Sequence, residues 1–399
     1  LVVKGEAEHS FPDLLDRIAA NRADWREVPG GVWIQDGVVQ SRPELGLLAD
    51  VDLLPLPDYA AFPSSGNNGT IPLEVGRGCP YGCTFCSTNT FFKRRFRMKS
   101  ADRVTADVRA LTAAYRINHV DFVHDMFTVR RDFVEDISAA MKRLPVSWNC
   151  SARTDRIDDA LLQTMAEAGC TGIYVGIETG SSELQKVLKK NLCPTEAVAR
   201  IRTCQSFGIG VTASLIIGYP QETREDLRAT LLCGLELLRP HPSRFATAKV
   251  VVQFPFFAPL AGTPILADAP GGFEFDGVPP SLVELGESRT LPAETADLVM
   301  AHPDIFTAHY HPAATEIARL DYITIMHITS HLTSEPATIE ALANDHAVPF
   351  VDFLLSPGVH RYLGPSQSST TRSFLEAFFD PQRRSGQRSH RTTAPQFVW

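Results

Sequence analysis

The chain has 399 residues, of which 44% are hydrophobic and 21% charged, which is typical of a soluble globular protein with two or three domains. No run of about 18 apolar residues occurs, so the sequence predicts no membrane-spanning segment. A net charge of -8 argues against a dedicated nucleic-acid binder and favours a small molecule or a peptide as partner.

The chain begins at Leu1 with neither an initiator methionine nor a signal-peptide pattern, so we expect a fragment that starts inside a domain. Its eight cysteines are too few for a disulfide scaffold, and three of them fall within eight positions. This usage of cysteine indicates a reducing cytoplasm.

Residues 1–66 are predicted to be the end of one domain plus a linker. We expect a buried strand at 1–4, a helix over 11–20, and a hairpin over 32–39, because Asp36-Gly37 accepts the positive φ angles of a tight turn. Proline-rich and then polar residues from 54 to 69 predict the linker.

From residue 67 to 267, short apolar strands alternate with amphipathic helices. This alternation predicts a parallel sheet with right-handed crossovers, closed into a partial barrel of six β/α units. Thr223 and Asp226 predict a capping box at the start of one of the helices. The predicted strands are 71–75, 120–123, 146–150, 172–177, 211–217 and 247–254.

Beyond the barrel the alternation weakens. Residues 268–363 predict a mainly helical region that shapes the substrate pocket, in which His309 and His311 either contact substrate or pack as structural aromatics. Residues 364–399 are rich in Ser, Thr, Gln and Arg and predict a flexible tail; the alternative is a phosphate-binding arm.

The segment from Arg77 to Cys86, directly after the first predicted strand, contains cysteines at 79, 83 and 86. Three thiolates on one loop can hold an iron-sulfur cubane, which normally takes four ligands, and would leave one iron open to a small molecule. The alternatives are a structural zinc site, which requires a fourth Cys or His nearby, and a coincidence of buried cysteines.

The Cys-x-x-x-Cys-x-x-Cys loop after the first strand of a β/α barrel resembles the signature of the radical S-adenosylmethionine (SAM) superfamily, over residues 67–267. The resemblance implies a 4Fe-4S cluster on Cys79, Cys83 and Cys86. Its open iron would chelate SAM, which one-electron reduction cleaves to a 5'-deoxyadenosyl radical. It also implies a flavodoxin- or ferredoxin-type electron donor, and places the aromatic Phe85 beside adenine.

The resemblance suggests further SAM contacts. Asp125 follows the second strand, where the family has a polar motif facing the methionine amino group; the alternative for Asp125 is a helix cap. Ser151 and Arg153 share one face of the third strand. Arg153 would neutralise the SAM carboxylate, or else form a structural ion pair.

The segment from Gly176 to Ser181 resembles the family's fourth-strand motif, in which a carboxylate and a hydroxyl, here Glu178 and Ser181, contact ribose and methionine. The turn at Gly218 resembles the turn that supports adenine through backbone groups; the alternative is a plain strand-to-helix turn. The resemblance identifies no further catalytic residue.

Gly5-Glu6-Ala7-Glu8 and the Pro-rich linker resemble the junction between a Rossmann-like cobalamin domain and the barrel in the cobalamin-binding branch, although Ala7 departs from the usual Gly. Cobalamin would be bound mainly upstream of Leu1, and some relatives have lost it. The resemblance therefore predicts cobalamin-dependent C-methylation. The alternatives are cobalamin-independent rearrangement or dehydration of a sugar-like natural-product precursor, and a cluster that only stores electrons.

Overall fold

The computed structural model describes residues 1–61, 69–241, 245, 248–279, 290–313, 315–332, 336–343, 346–363 and 367–379. The predicted linker residues 62–68 and the predicted tail residues 380–399 lie outside these ranges. None of the described helices combines the length and the apolar character needed to span a bilayer.

The amino-terminal part is a small antiparallel sheet of strands β1 (Val2–Val3), β2 (Gly31–Gln35) and β3 (Val38–Ser41), together with helix α1 (Ser10–Ala19). The predicted hairpin is confirmed, since Asp36 and Gly37 have φ values of 51° and 76° between β2 and β3. The prediction of a buried first strand is wrong: Val2 is 62% exposed, because β1 lies at the edge of this sheet.

The centre of the molecule is a six-stranded parallel sheet, which confirms the predicted barrel units. Its order across the sheet is β4-β7-β8-β9-β10-β11, so each strand lies beside the next one along the chain. Two short strands, β5 (Gly76–Arg77) and β6 (Arg97–Met98), form a separate hairpin after β4. The sheet strands are β4 (Thr70–Glu74), β7 (His119–Val123), β8 (Ser147–Ala152), β9 (Cys170–Gly176), β10 (Gly210–Ser214) and β11 (Val250–Gln253).

Helices cover the outer face of this sheet, where alternate strand residues such as Val120 and Ile173 are buried. The predicted capping box is present: the Thr223 hydroxyl accepts from Asp226 N–H, and the Asp226 carboxylate accepts from Thr223 N–H. β10 ends at Ser214, three residues before the prediction, because Ile217 makes only an isolated bridge to Phe256. The helices are α2 (Ser87–Phe91), α3 (Ala101–Ala114), α4 (Arg131–Met141), α5 (Asp159–Glu167), α6 (Ser182–Val187), α7 (Pro194–Ser206) and α8 (Arg224–Leu238).

The carboxyl-terminal part is mainly helical, as predicted, and begins with the two-stranded sheet of β12 (Phe273–Glu274) and β13 (His311–Pro312). The prediction of a flexible tail is wrong over 367–379, where a helix buries Phe374 in the main core, because its aromatic face packs on neighbouring helices. The helices here are α9 (Ala293–Ala301), α10 (Arg319–Leu332), α11 (Pro336–Ala343), α12 (Ala347–Leu354) and α13 (Gln367–Phe379).

Candidate active site

The loop that carries the three cysteines lies between β5 and α2, at the carboxyl end of the first sheet strand. Gly78 opens the loop with a φ of 82°, a left-handed conformation that favours glycine. A Cβ at this position would lie 2.0 Å from the Arg95 carbonyl oxygen, so the close approach of two backbone segments requires glycine here. The loop path is therefore fixed by backbone contacts.

The three cysteines are all free thiols, and Cys83 is buried. Burial raises the pKa of Cys79 to about 11, and the neighbouring Cys83 and Cys86 add to the increase, so the three sulfurs share one electrostatic environment. Among the described residues, no three Cys, His, Asp or Glu side chains have metal-binding geometry. The donor set nevertheless has the chemistry of an iron-sulfur ligand set, and iron binding would have to displace the thiol protons.

Asp125 supports the cysteine loop directly. Its Oδ2 accepts a hydrogen bond from Gly78 N–H at 3.0 Å, and its Oδ1 accepts one from the Thr88 hydroxyl at 3.0 Å. These two contacts join the carboxyl end of β7 to both ends of the loop. The predicted SAM contact thus also orders the segment that contains the thiols.

The amino-terminal part contacts the same region through Glu6, whose side chain is only 4% exposed. The Glu6 carboxylate accepts from Arg97 Nη2 at 2.7 Å and from Arg77 Nη1 at 3.3 Å. Arg77 also pairs with Glu8 at 2.6 Å. The Gly-Glu-Ala-Glu segment therefore holds the hairpin that brackets the cysteine loop, a role that the sequence pattern alone did not reveal.

Arg153 is buried at 3% exposure and has several partners. Its guanidinium pairs with Asp155 at 2.9 Å, donates from Nη2 to the Lys190 carbonyl at 2.9 Å, and lies over the Tyr81 ring at 4.1 Å from the ring centre. Because Tyr81 lies between Cys79 and Cys83, Arg153 packs against the cysteine loop. These contacts favour the predicted alternative, a structural ion pair.

Glu178 lies two residues after the end of β9 and has a φ of 73°, an unusual conformation for a residue other than glycine and one often found at functional sites. Its carboxylate forms a buried ion pair with Lys190 Nζ at 2.9 Å, and the two side chains are 9% and 8% exposed. Burial lowers the pKa of Lys190, but Glu178 outweighs this effect and leaves that pKa raised. Sequence reasoning missed Lys190; the only available signal was its position shortly after the fourth-strand motif.

The two predicted serine contacts both have partners within the protein. Ser151, on the inner face of β8, donates its hydroxyl hydrogen bond to the His124 carbonyl. Ser181 caps α6, because its hydroxyl accepts from Leu184 N–H at 3.2 Å, and it donates to Asp226. Both residues therefore fix the chain at the carboxyl ends of strands, where the predicted cofactor site lies.

Phe85 and Gly218 are joined through the residue that follows Gly218. The Phe85 ring meets the buried Tyr219 ring edge-on, with centroids 5.6 Å apart. Gly218 has a φ of 84° and donates its N–H to Glu222 Oε2 at 2.7 Å, so the turn is held from within. Phe85 therefore contacts the residue that follows Gly218.

The inner face of the sheet lines an open cavity of about 490 Å³. Gly172 and Gly210 line this cavity without side chains that would fill it. Tyr174 also lines it and is 46% exposed. Polar side chains also line the cavity, and Asn149 donates a hydrogen bond to the Asp121 carboxylate there. Such a chamber has room for a small molecule on the inner face of the sheet.

The other five cysteines were predicted to be buried apolar residues. This is confirmed for Cys150, Cys170 and Cys204, whereas Cys233 is half-buried. The prediction is wrong for Cys193, which is exposed because it immediately precedes the first residue of α7 at the surface.

A partial parallel barrel with three cysteines on the loop after its first strand defines the site of a radical SAM protein. Residues 73–233 match the family model of the Radical SAM superfamily. Residues 73–233 therefore form a radical SAM domain.

Three known proteins are similar to this chain in sequence or in fold. An uncharacterized methyltransferase from Pyrococcus horikoshii is 33% identical over 236 residues, which are 58% of this chain and 51% of that protein. The cobalamin-dependent SAM radical enzyme OxsB has a similar fold, with a TM-score of 0.60, 18% identity and coverage of 96% of this chain and 59% of that chain. TsrM, a radical SAM methyltransferase from Kitasatospora setae, has a TM-score of 0.60, 17% identity and coverage of 96% and 78%. The chain spans about half the length of the curated relatives it matches.

Proposed function

We propose that this chain is the catalytic part of a radical SAM methyltransferase that transfers a methyl group to an unactivated carbon with the help of cobalamin. The observation that carries the proposal is the three-thiol loop at the carboxyl end of β4, in a sheet whose inner face lines an open cavity. Methyltransferases among the relatives support the reaction type, and the likeness in fold to OxsB and TsrM over 96% of the chain supports the branch.

Cys79, Cys83 and Cys86 would hold a 4Fe-4S cluster that, with SAM, supplies one-electron radical chemistry. Asp125 would keep the loop in place through Gly78 N–H. The chain's further contribution is to exclude water from the thiols, because Cys83 is buried beneath the segment that includes Lys190.

For SAM itself, we propose contacts from Phe85 and from the backbone at Gly218; the contact between the Phe85 ring and Tyr219, the residue after Gly218, supports this. Glu178 would contact ribose or methionine while Lys190 balances its charge. Ser151, Ser181 and Arg153 would act mainly by holding these segments, since each is bonded within the protein.

Cobalamin would be held mainly by residues outside this chain, next to the part that contains Glu6. A flavodoxin- or ferredoxin-type protein would supply electrons, and a reducing cytoplasm would preserve the free thiols. The substrate would be a small molecule or a peptide that fits the chamber.

The test is anaerobic reconstitution of the full-length protein produced with cobalamin. We expect about four irons per chain, corrin absorbance, 5'-deoxyadenosine after reduction, and transfer of a deuterated methyl group from labelled SAM to substrate. The Cys79→Ala, Cys83→Ala, Cys86→Ala triple variant should lose all iron-dependent signals. Substrate-dependent 5'-deoxyadenosine without corrin or methyl transfer would overturn the methylation proposal in favour of rearrangement or dehydration.

A further inference from the structure

A second cavity, of about 560 Å³, lies between the turn that follows Gly218 and the carboxyl-terminal part. Its walls are residues 220–223, Pro270 and Glu274, and residues 311–319 on either side of position 314. Neither the sequence motifs nor the comparisons assign any role to this cavity.

Two consecutive side chains of the turn, Gln221 and Glu222, each have a buried oxygen without a hydrogen-bond partner among the described residues. Glu222 is 3% exposed; its Oε2 accepts from Gly218 N–H at 2.7 Å and from the Tyr322 hydroxyl at 2.9 Å, but its buried Oε1 has no hydrogen-bond partner among the described residues. Gln221 donates a hydrogen bond from Nε2 to the Asp268 carbonyl at 3.0 Å, which identifies the other terminal atom of its amide as the oxygen Oε1. This Oε1 also has no hydrogen-bond partner within the described ranges.

The facing wall has unpaired nitrogen atoms. His311 is 3% exposed, and its Nε2 lies 3.7 Å from Asp276, without a hydrogen bond in the part of the chain that the structure describes. Arg319 pairs through Nε with Asp276 at 2.7 Å, whereas its buried Nη1 finds no acceptor among the described residues. Buried polar atoms are normally hydrogen-bonded, so four unpaired groups around one cavity indicate a site built for a polar ligand.

The charges around the cavity select the ligand further. Carboxyl groups of Glu274 and Glu316 line it, whereas the guanidinium of Arg319, which the described part of the wall also contains, is already paired with Asp276. Excess negative charge in a partly enclosed space repels phosphates and carboxylates and attracts cations. The oxygens of Gln221 and Glu222 complement N–H donors, and the nitrogens of the facing wall complement a hydroxyl or carbonyl group.

We propose that this cavity binds an amine: a small polar molecule with an ammonium group next to hydroxyl or carbonyl groups. The ammonium group lies against Gln221 and Glu222, and the neutral polar groups lie against His311 and Arg319. The proposal goes beyond the radical chemistry and does not depend on it, because binding is measured without SAM cleavage.

The first experiment is calorimetric titration of the full-length protein at pH 7 with three probes of similar shape. Glucosamine carries the ammonium group, N-acetylglucosamine replaces it with a neutral amide, and glucose 6-phosphate is an anion. We expect glucosamine to bind at least ten-fold more tightly than either of the others. Equal affinities, tighter binding of the phosphate, or no glucosamine binding would overturn the proposal.

A second readout uses the protonation of Glu222. Burial, together with the nearby Asp226, raises the pKa of Glu222 to about 8. The hydrogen bonds from Gly218 N–H and the Tyr322 hydroxyl lower this pKa and offset part of the increase. An ammonium group nearby favours the ionised carboxyl, so glucosamine binding at pH 7 should release protons, seen as a heat that depends on the ionisation enthalpy of the buffer. Glu222→Gln should abolish this buffer dependence; persistence in the variant, if His311 or another group were the source, would overturn the assignment to Glu222.

The third experiment substitutes exposed residues at the rim of the cavity, where changes leave the core intact. Glu274 has a side-chain exposure of 60%, and Glu316 is also exposed. We expect Glu274→Gln with Glu316→Gln to weaken glucosamine binding at least five-fold and to leave the melting temperature near that of the parent. The control Glu135→Gln, an exposed carboxylate on α4, should have no effect. An equal effect of the control, or none from the rim variant, would overturn the site.

Discussion

The buried ion pair between Glu178 and Lys190 provides the sharpest test of the site. Lys190→Met keeps the length and apolar stem of the side chain but removes the charge that lies 2.9 Å from the carboxylate. The Glu178 side chain is 9% exposed, so it would be left charged and largely out of water. Removing one partner of such a pair typically costs about 3 to 5 kcal/mol.

The same chain offers a matched control four residues earlier. Lys186 pairs with Glu183 at 2.7 Å, but these side chains are 66% and 80% exposed, so Lys186→Met should cost no more than about 1 kcal/mol. In a domain of roughly 200 residues, 3 to 5 kcal/mol corresponds to a fall in melting temperature of about 6 to 20 °C. We therefore expect a wide gap between the two variants.

The measurement is thermal unfolding of both variants by circular dichroism, without added SAM. A double variant with Glu178→Gln and Lys190→Met should recover most of the loss, because the unpaired charge is then gone. Equal destabilisation by Lys190→Met and Lys186→Met would contradict a stabilising role of the buried ion pair. A double variant no more stable than Lys190→Met alone would contradict it as well.

Three other predictions concern Gly78, Asp125 and Glu222. Gly78→Ala should prevent iron loading, because the added Cβ would lie 2.0 Å from the Arg95 carbonyl oxygen. The control is Gly37→Ala, at a φ of 76° with open space around it. This control should lose only about 1 to 2 kcal/mol of stability and keep its full iron content. Asp125→Ala should leave the Gly78 N–H unpaired, at about 1 to 3 kcal/mol, and should speed iron loss to a chelator; an unchanged rate would exclude this supporting role. The folded pKa of Glu222, about 8, exceeds its ordinary value of 4.5, so the folded state holds an extra proton between these values and stability falls as pH rises through them, by up to about 1.4 kcal/mol per pH unit. Chemical denaturation from pH 5 to 8 should show this slope in the parent protein and not in Glu222→Gln.

Features that depend on neighbouring residues could be predicted from the amino-acid sequence. The alternation of strands and helices, the Asp36-Gly37 hairpin and the capping box at Thr223 each arise from backbone geometry over a few positions. The cysteine loop belongs to the same class, because its spacing fixes three thiols on one short segment. These local patterns were sufficient to predict the fold and the likeness to radical SAM proteins.

The pairing of charged groups could not be predicted in this way, because it depends on how distant elements pack. Glu6 reaches Arg97 across 91 positions, and Tyr322 reaches Glu222 across 100, because packing of whole elements brings them together. Lys190 is only 12 residues from Glu178, yet it reaches that carboxylate through a segment in which Lys189 has a φ of 53°. Hydrophobic periodicity does not encode such left-handed turns or long-range ion pairs, since both depend on burial that is established only when the elements pack.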